Sequence, residues 1–435
     1  MKKVLIISYF FPPANFAGSY RVLAWARYLY KFGYYPTIVT RQWNANQTDS
    51  FDVITDNTLK HEKHEHYEVY FVPVEYMRRE LIVQRFPRLK QLARILTAIE
   101  LLLRCFVKSF YHLQFLYEFS LTLIQKEKDF KLLYITGNPF EIYKIGYLLH
   151  KKTSIKWIAD YRDGWTIWNK YNTNGFFRIV GKIEAYYENK WMKTVSAFTT
   201  VNEELVKGIS NLINKKGYKI MNGFMPEDYT TKEVPDTTSP IILEGNAINL
   251  VYNGTLYHTQ ILDVFFDGLR MYRTKYPTQK VHLYFIGILH NNTETEKLKE
   301  KAKGIEDSII LTPRISKSEV IHLQKLCDAF LFFTHGNLLK GSFPSKMFEY
   351  FALKKPILVS PDDNGVVTDL IQTTNTGYVT SDPQTIIKWL ELLSRKSLPY
   401  HADEKEVSKY TRENQTKSLA EVFDRYLNNA KMNND

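Results

Sequence analysis

The sequence predicts an α/β protein made of two doubly wound parallel sheets. Three observations predict it. The first forty or so residues run buried strand, loop, helix, strand, and the same run restarts near residue 248. Between the two, "TTKEVPDTTSP" is polar, proline-containing and without period, as a linker is. The expected organisation is a first domain over 1–228, a linker over 229–247 and a second domain over 248–406.

Each element has its own signal. "KKVLIISYF" is a near-continuous apolar run, as expected for a strand buried on both faces. "FPPANFAG" is a loop, "SYRVLAWARYLYKFG" a helix stopped by Gly33, and "YPTIVT" the next strand. "YEVYFVPV", "KLLYIT", "KWIAD" and "SAFTTV" continue the first sheet. In the second half "INLVYNGTL" gives strand and loop, and "ILDVFFDGLRMYRTKYP" a helix. "KVHLYFIG", "DAFLFF" and "PILVS" supply further strands, and "SLAEVFDRYLNNA" has the spacing of a closing helix. Two sheets of one build imply a ligand cleft at the carboxyl ends of their strands.

Composition narrows the classes. The chain has 435 residues, 44% hydrophobic and 15% aromatic, which supplies packed cores and excludes a mainly disordered protein. Two cysteines, Cys105 and Cys327, fit a reducing compartment without a disulfide framework. The basic start "MKKVLIISYFFPP" is too short and proline-broken to read as a cleaved leader. No uncharged apolar run reaches the roughly eighteen residues of a bilayer span. A cytoplasmic location is therefore expected. Half of the net charge of +12 lies between Arg78 and Lys108, where eight Lys/Arg meet two Glu within an aromatic-rich, helix-compatible stretch. Such a stretch fits an anionic membrane surface, giving peripheral association with the inner face of the membrane. An ordinary packed helix with a solvated basic face is the alternative. Nucleic acid is not expected as a partner, since no single-strand-binding motif or zinc spacing accompanies the charge.

Four motifs bear on chemistry. In "PPANFAGSYR", Gly18 precedes a helix whose free N–H groups and dipole favour an anion, although a glycine that only shapes the turn is an equal reading. In "GSFPSKMFEYFA", Pro344 suits a first helical turn, and Lys346 and Glu349, three apart, share one face. An ammonium beside exposed N–H groups suits a diphosphate, and a carboxylate suits the hydroxyls of a ribose; the alternative is a surface ion pair on a core helix. "IADYRDGW" places Asp160, Arg162, Asp163 and Trp165 at a strand's end, as a sugar or phosphate site would, or as a structural Arg–Asp bridge would. "HEKHEHYE" lacks the spacing of a zinc ligand set and reads as a solvated loop. No Asp-x-Asp occurs, so no metal-bridged diphosphate site is expected; helix N-termini and Lys/Arg would neutralise a leaving diphosphate instead.

Taken in order, "SYFFPPANFAGSYRVLAWARYLYKFGYYPTIVT", "IADYRDGW", "MNGFMPEDY" and "FPSKMFEYFALKKPILVS" resemble the bacterial glycosyltransferases of family 4. They look like the branch that builds capsule, O-antigen and exopolysaccharide. The resemblance spans nearly the whole chain, is specific in "PSKMFEY" and the Asp-x-Arg-Asp-x-Trp loop, and is generic elsewhere. It implies a GT-B fold with two Rossmann-like domains and a last helix, over about 407–431, crossing back to the first. It implies a nucleotide diphosphate sugar as donor, with UDP the nucleotide expected, and no cofactor. Glu349 matches the family's ribose-binding glutamate, and Lys346 lies where a diphosphate contact is expected. Gly18 and Ser19 match the glycine loop facing the same diphosphate. Gly254 and Thr255 match the loop after the second domain's first strand, and Arg314 a loop that often lines the donor pocket. Gly341, Ser342, Pro344 and Ser345 complete the donor side. Asp163 is expected to hold the acceptor, with Asp160, Arg162 and Trp165 on the acceptor side.

Two departures stand out. A second glutamate that touches the donor sugar in many family members is Gly341 here. The Arg and Lys that commonly follow the "NGTL" glycine are Thr255 and, roughly, Gln260. The expectation is a retaining, metal-independent glycosyltransferase, hexosyl- or N-acetylhexosaminyl-type, acting on a lipid-linked or oligosaccharide acceptor in cell-surface polysaccharide synthesis. The departures keep two alternatives open: a non-catalytic sugar-nucleotide-binding scaffold, and a GT-B epimerase or hydrolase.

Overall fold

The computed structural model describes residues 1–45, 54–74, 82, 85–86, 113–168, 176–230, 241, 243–257, 259–290, 292–335 and 346–428. The chain divides into two compact units, Met1–Asn222 with Arg412–Asp435, and Gly223–Thr411.

The first unit opens with β1 (Lys2–Ser8), α1 (Ala17–Tyr28) and β2 (Tyr34–Arg41). After α1 a 3₁₀ turn, Leu29–Phe32, ends at Gly33, whose φ of 83° is the left-handed conformation that stops a helix. The hairpin β3 (Lys60–Lys63) and β4 (Glu68–Val72) follows. Next come α2 (Gln114–Glu127), β5 (Phe130–Thr136), α3 (Tyr143–Thr153), β6 (Trp157–Tyr161), α4 (Phe176–Met192), β7 (Ala197–Thr200), α5 (Glu203–Ile213) and β8 (Gly217–Lys219). The sheet order is β3-β4-β2-β1-β5-β6-β7-β8, parallel throughout except for β3. Alternation along β1 divides the core. Leu5 and Ile7 pack with α2, α3, α4 and α5 on one face; Val4 and Ile6 pack with Val22, Trp25 and Ala26 of α1 on the other.

The second unit is a shorter copy of the same plan. Its elements are β9 (Ile248–Asn253), α6 (Asp263–Lys275), β10 (Val281–Ile286), α7 (Asn292–Lys301), β11 (Ile309–Leu311), α8 (Lys317–Leu326), β12 (Ala329–Phe333), α9 (Lys346–Leu353), β13 (Ile357–Ser360), α10 (Val366–Thr374), β14 (Gly377–Val379) and α11 (Pro383–Ser394). Its order, β11-β10-β9-β12-β13-β14, is that of a dinucleotide-binding sheet. All its strands are parallel, and the order in which they are added reverses between β9 and β12, so the ligand crevice of such a sheet lies at their carboxyl ends. Leu250, Leu283, Leu331 and Phe333 pack under α6 and α11. On the opposite face the Tyr350 ring of α9 stacks on Phe330, 4.1 Å between centroids.

The last described helix, α12 (Arg412–Asn428), belongs to the first unit: Leu419, Ala420, Val422 and Phe423 complete the core against α1.

"HEKHEHYE", expected to be a solvated loop, supplies strand β3. His61–Glu65 are exposed, as expected, but His61–Lys63 pair antiparallel with β4 as an exposed edge, and Glu68, the segment's last residue, is buried at the start of β4. Glu68 fixes that edge, since its carboxylate meets His61 Nε2 at 3.0 Å and accepts from Thr37 Oγ1 at 2.9 Å. β8, β11 and β14 are short strands without a separate sequence signal. The basic stretch 78–108 lies outside the described residues apart from 82, 85 and 86. Among the described residues no helix is long and apolar enough to cross a membrane.

Candidate functional site

In the second unit, three expected residues meet at the carboxyl ends of β9 and β12. β9 ends at Asn253, and Gly254 follows with φ +97°, a conformation that side-chain-bearing residues rarely adopt. Lys346 opens α9, and its Nζ lies 4.0 Å from where a Cβ on Gly254 would stand. Glu349 lies one turn further along the same helix.

The environment of Lys346 is unusual for a lysine. Its Nζ sits 3.7 Å from the Tyr252 ring centroid and 5.6 Å from that of Phe332. That nitrogen is buried and, among the described residues, has no hydrogen-bond partner. Burial pulls its pKa down to about 7, against the opposing influence of Glu349. On the residue before Gly254, Asn253 Oδ1 is also buried without a hydrogen bond among the described residues. Buried polar atoms left unpaired in this way are costly unless a polar partner meets them.

The loop that carries Gly254 is braced from below. Gln260 Nε2 donates to the Phe333 carbonyl at 2.6 Å, and its Oε1 accepts from Tyr257 N at 2.9 Å. The Tyr252 hydroxyl reaches Gln260 Oε1 and the Thr255 carbonyl, each at 3.0 Å. Gln260 is thus a buried tie between the β9 loop and β12, with its amide committed on both sides. The Asn253 N–H donates to the Tyr350 hydroxyl at 3.4 Å, which links the loop to α9. Arg314 is exposed at the end of the neighbouring β11, its Cγ 3.7 Å from where a Cβ on Gly287 would stand, at the carboxyl end of β10. Gly341, Ser342, Pro344 and Ser345 lie outside the described residues.

In the first unit, the glycine loop and the "IADYRDGW" segment come together. A Cβ on Gly18 would lie 1.6 Å from Arg162 Nη1, so the guanidinium rests directly on the first turn of α1. Arg162 also lies over the Phe10 ring at 5.6 Å, and its Nε is buried without a partner among the described residues. Burial lowers its pKa, with Asp163 and Asp160 working the other way. Ser19, one residue on, is buried, and its Oγ has no hydrogen bond among the described residues.

Asp160 has the structural form of the two readings of its loop. It is fully buried and pairs with Arg21 at 2.8 Å and 3.1 Å, while Thr199 and Thr136 donate to it at 2.8 Å and 2.9 Å. Every lone-pair direction of the carboxylate is used within the fold. Arg21 donates further to the carbonyls of Ile220 and Met221. Burial alone would lower its pKa; Asp160 outweighs that, and the net shift is upward. Trp165 stacks on Phe140 and Trp191, at 5.4 Å and 5.7 Å, as part of the core. Asp163 remains partly exposed at the loop. Sequence reasoning did not single out Tyr252, Asn253 or Arg21. The first two sit in a strand pattern that reads only as core, and Arg21 in a helix pattern that reads as amphipathic.

Residues 247–395 match the family described as "Glycosyl transferases group 1". Sucrose-phosphate synthase from Thermosynechococcus elongatus aligns over 99% of this chain and 100% of its own, with TM-score 0.60 and 12% identity. The α,α-trehalose 6-phosphate synthase from Burkholderia multivorans aligns over 100% and 99%, with TM-score 0.61 and 10% identity. The fold is GT-B. Anabaena Alr3699/HepE, whose structure holds UDP, is a further GT-B relative in shape, with TM-score 0.56, 12% identity and coverage of 97% and 100%. No curated protein matches by sequence. The group 1 match covers the second unit's GT-B sheet from β9 through α11, and therefore includes Gly254, Arg314, Lys346 and Glu349.

Proposed function

We propose that this chain is a retaining, metal-independent glycosyltransferase. It moves a sugar from a nucleotide diphosphate sugar, with UDP the expected nucleotide, to a lipid-linked or oligosaccharide acceptor in cell-surface polysaccharide synthesis. The observation that carries the reading is the buried Lys346 amine beside Gly254, unpaired among the described residues, within the matched residues and at the switch point of the sheet. A diphosphate would supply the oxygens that the amine lacks among the described residues, at the N-terminus of α9, where an anion is favoured. Glu349 would take the ribose hydroxyls, and Arg314 would add charge from β11's side.

In this reading the bond between the anomeric carbon and the diphosphate oxygen breaks while the acceptor hydroxyl forms its bond on the same face. The departing phosphate takes the hydroxyl proton, so no dedicated nucleophile is required. Stabilisation is electrostatic, directed at the charge that develops on the leaving diphosphate. Asp163, Arg162 and the Gly18–Ser19 turn would belong to the acceptor and diphosphate side of the first unit. The basic stretch 78–108 would bring the enzyme to anionic lipid.

Calorimetric titration with UDP, GDP and their sugar derivatives tests this, with Lys346→Ala and Glu349→Ala alongside. The expected result is binding of one nucleotide, weakened at least tenfold in either variant, an effect of about 1.4 kcal/mol. Absence of nucleotide binding would overturn the reading. A second reading, a sugar-nucleotide-binding scaffold, draws on Gly341 standing where many relatives have a glutamate. Binding without turnover on any acceptor would favour it, and turnover without acceptor would mean an epimerase or hydrolase.

A further inference from the structure

Helix α4 (Phe176–Met192) carries an outward face that its own fold leaves unexplained. With successive residues about 100° apart, Arg178, Ile179, Lys182, Tyr186 and Lys190 fall within an arc of about 120°. All five are exposed, and so is Lys193 just beyond the helix end. Ile179 is 55% exposed and Tyr186 60%, high values for a branched aliphatic and an aromatic residue on a helix this long. The Lys190 ammonium lies 5.7 Å from the Tyr186 ring centroid.

The acidic residues of α4 are on the other side. Glu188 is buried, where it accepts from the Tyr161 hydroxyl at 2.9 Å, from Thr166 N at 3.3 Å and from the Thr166 hydroxyl. Glu184 falls on the same inward arc. The exposed arc therefore has four cations with Lys193 included, no carboxylate, and two apolar side chains set between the charges. An ordinary solvated helix face mixes signs, because i,i+4 pairs of opposite charge stabilise it and like pairs do not. Arg178 and Lys182 are such a like pair, and among the described residues neither meets a carboxylate.

We infer that the outer face of α4 is a docking surface for an anionic lipid bilayer. Charge complementarity selects the partner. Phosphodiester headgroups would neutralise the four cations, while Ile179 and Tyr186 enter the boundary between headgroups and acyl chains, where aromatic rings with a polar end are favoured. A second copy of this chain is a poor occupant, since two such faces repel. Nucleic acid would use the cations and leave Ile179 without a role. The surface belongs to the first unit and shares no residue with the Lys346 site, and it adds to the 78–108 stretch a membrane contact within the described structure. It stands whether or not the chain is a transferase.

Vesicle flotation with the full-length protein tests it, using phosphatidylcholine vesicles with and without phosphatidylglycerol. The variants are Lys182→Glu with Lys190→Glu, and Ile179→Ser with Tyr186→Ser. The wild type is expected to float with the phosphatidylglycerol vesicles and to stay behind with phosphatidylcholine alone. The charge variant should lose about tenfold or more in vesicle affinity, as two reversals near a charged surface predict. The apolar variant should lose severalfold on vesicles and keep its retention on heparin. Wild-type-like flotation of both variants, or equal flotation with neutral lipid, overturns the inference. Loss of vesicle and heparin binding in the charge variant, with a wild-type apolar variant, identifies a general polyanion site instead and also overturns it. UDP titration and thermal melting are run on the same samples; both should match wild type, so failure of the docking surface and failure of the donor site remain distinguishable.

Discussion

The Lys346 ammonium nitrogen lies 3.7 Å from the centroid of the Tyr252 ring, inside the fold and without a hydrogen bond among the described residues. The aromatic face holds the amine by a cation–π contact while leaving its N–H donors unused. The result is a cation source stored at the carboxyl ends of the sheet's central strands, which an incoming anion can claim without first breaking an ion pair.

A pH dependence follows. With its pKa near 7 in the free protein, Lys346 is half charged at neutral pH. A bound diphosphate raises that value, so binding above pH 7 is coupled to proton uptake. UDP affinity should therefore fall as pH rises through and beyond 7, by up to about tenfold per pH unit. Calorimetry in buffers of different ionisation enthalpy would report the uptake, and Lys346→Ala should abolish it. Stability moves the opposite way: the unfolded lysine titrates near 10.5, so the unfolded state holds more protons between pH 7 and that value. The penalty for burying the charge is full below pH 7 and is relieved as pH rises across that window.

Asp160→Ala should destabilise the protein strongly, by about 3–5 kcal/mol, because it leaves the buried Arg21 guanidinium without a counter-charge. Urea unfolding measures this directly. If Asp160 instead served mainly to hold an acceptor, the substitution would lower turnover and leave the unfolding midpoint in place.

Gly18→Ala should displace the Arg162 guanidinium, whose Nη1 occupies the space the methyl group needs. The clash is with the end of a flexible side chain, so the expected stability cost is modest, about 1 kcal/mol. In the background of Arg162→Ala the same change should cost nothing. A double-mutant cycle on thermal unfolding tests the coupling.

Gln260→Ala should loosen the Gly254 loop, since it removes the ties to Phe333, Tyr257 and Tyr252 together. The expected effect is about 1–3 kcal/mol of stability from buried groups left unpaired. Nucleotide binding should weaken by more than that of a surface substitution on α6. Replacement by lysine should not rescue the fold, because an ammonium cannot accept from Tyr257 N.

The fold was legible because both sheets are buried on two faces. Runs such as "VLIIS" and "AFLFF" are what strands covered on both faces require. The short edge strands β8, β11 and β14 were not, since three residues carry too little pattern, and β3 was hidden by its uninterrupted charge. Of the site, Lys346, Glu349 and Gly254 could be read because glycine at a strand's end and polar residues opening an apolar helix are local signals. Tyr252 and Gln260 could not, because their roles depend on contacts across the β9 loop to β12 and α9. Asp160 shows the reverse difficulty. A carboxylate at a strand's end looks chemical in sequence, and only its partner Arg21, far away in the chain, reveals it as structural.

The position of α12 sets the order in which the protein can be finished. Val22, Trp25 and Ala26 of α1 wait for Leu419, Ala420 and Phe423 to cover them, and nearly the whole chain separates the two groups. On the ribosome the second unit, Gly223–Thr411, is complete and free to close while the first still lacks one wall. A nascent chain thus carries an exposed apolar face on α1 until α12 emerges. Damage to α12 would accordingly present itself as a misfolded first unit.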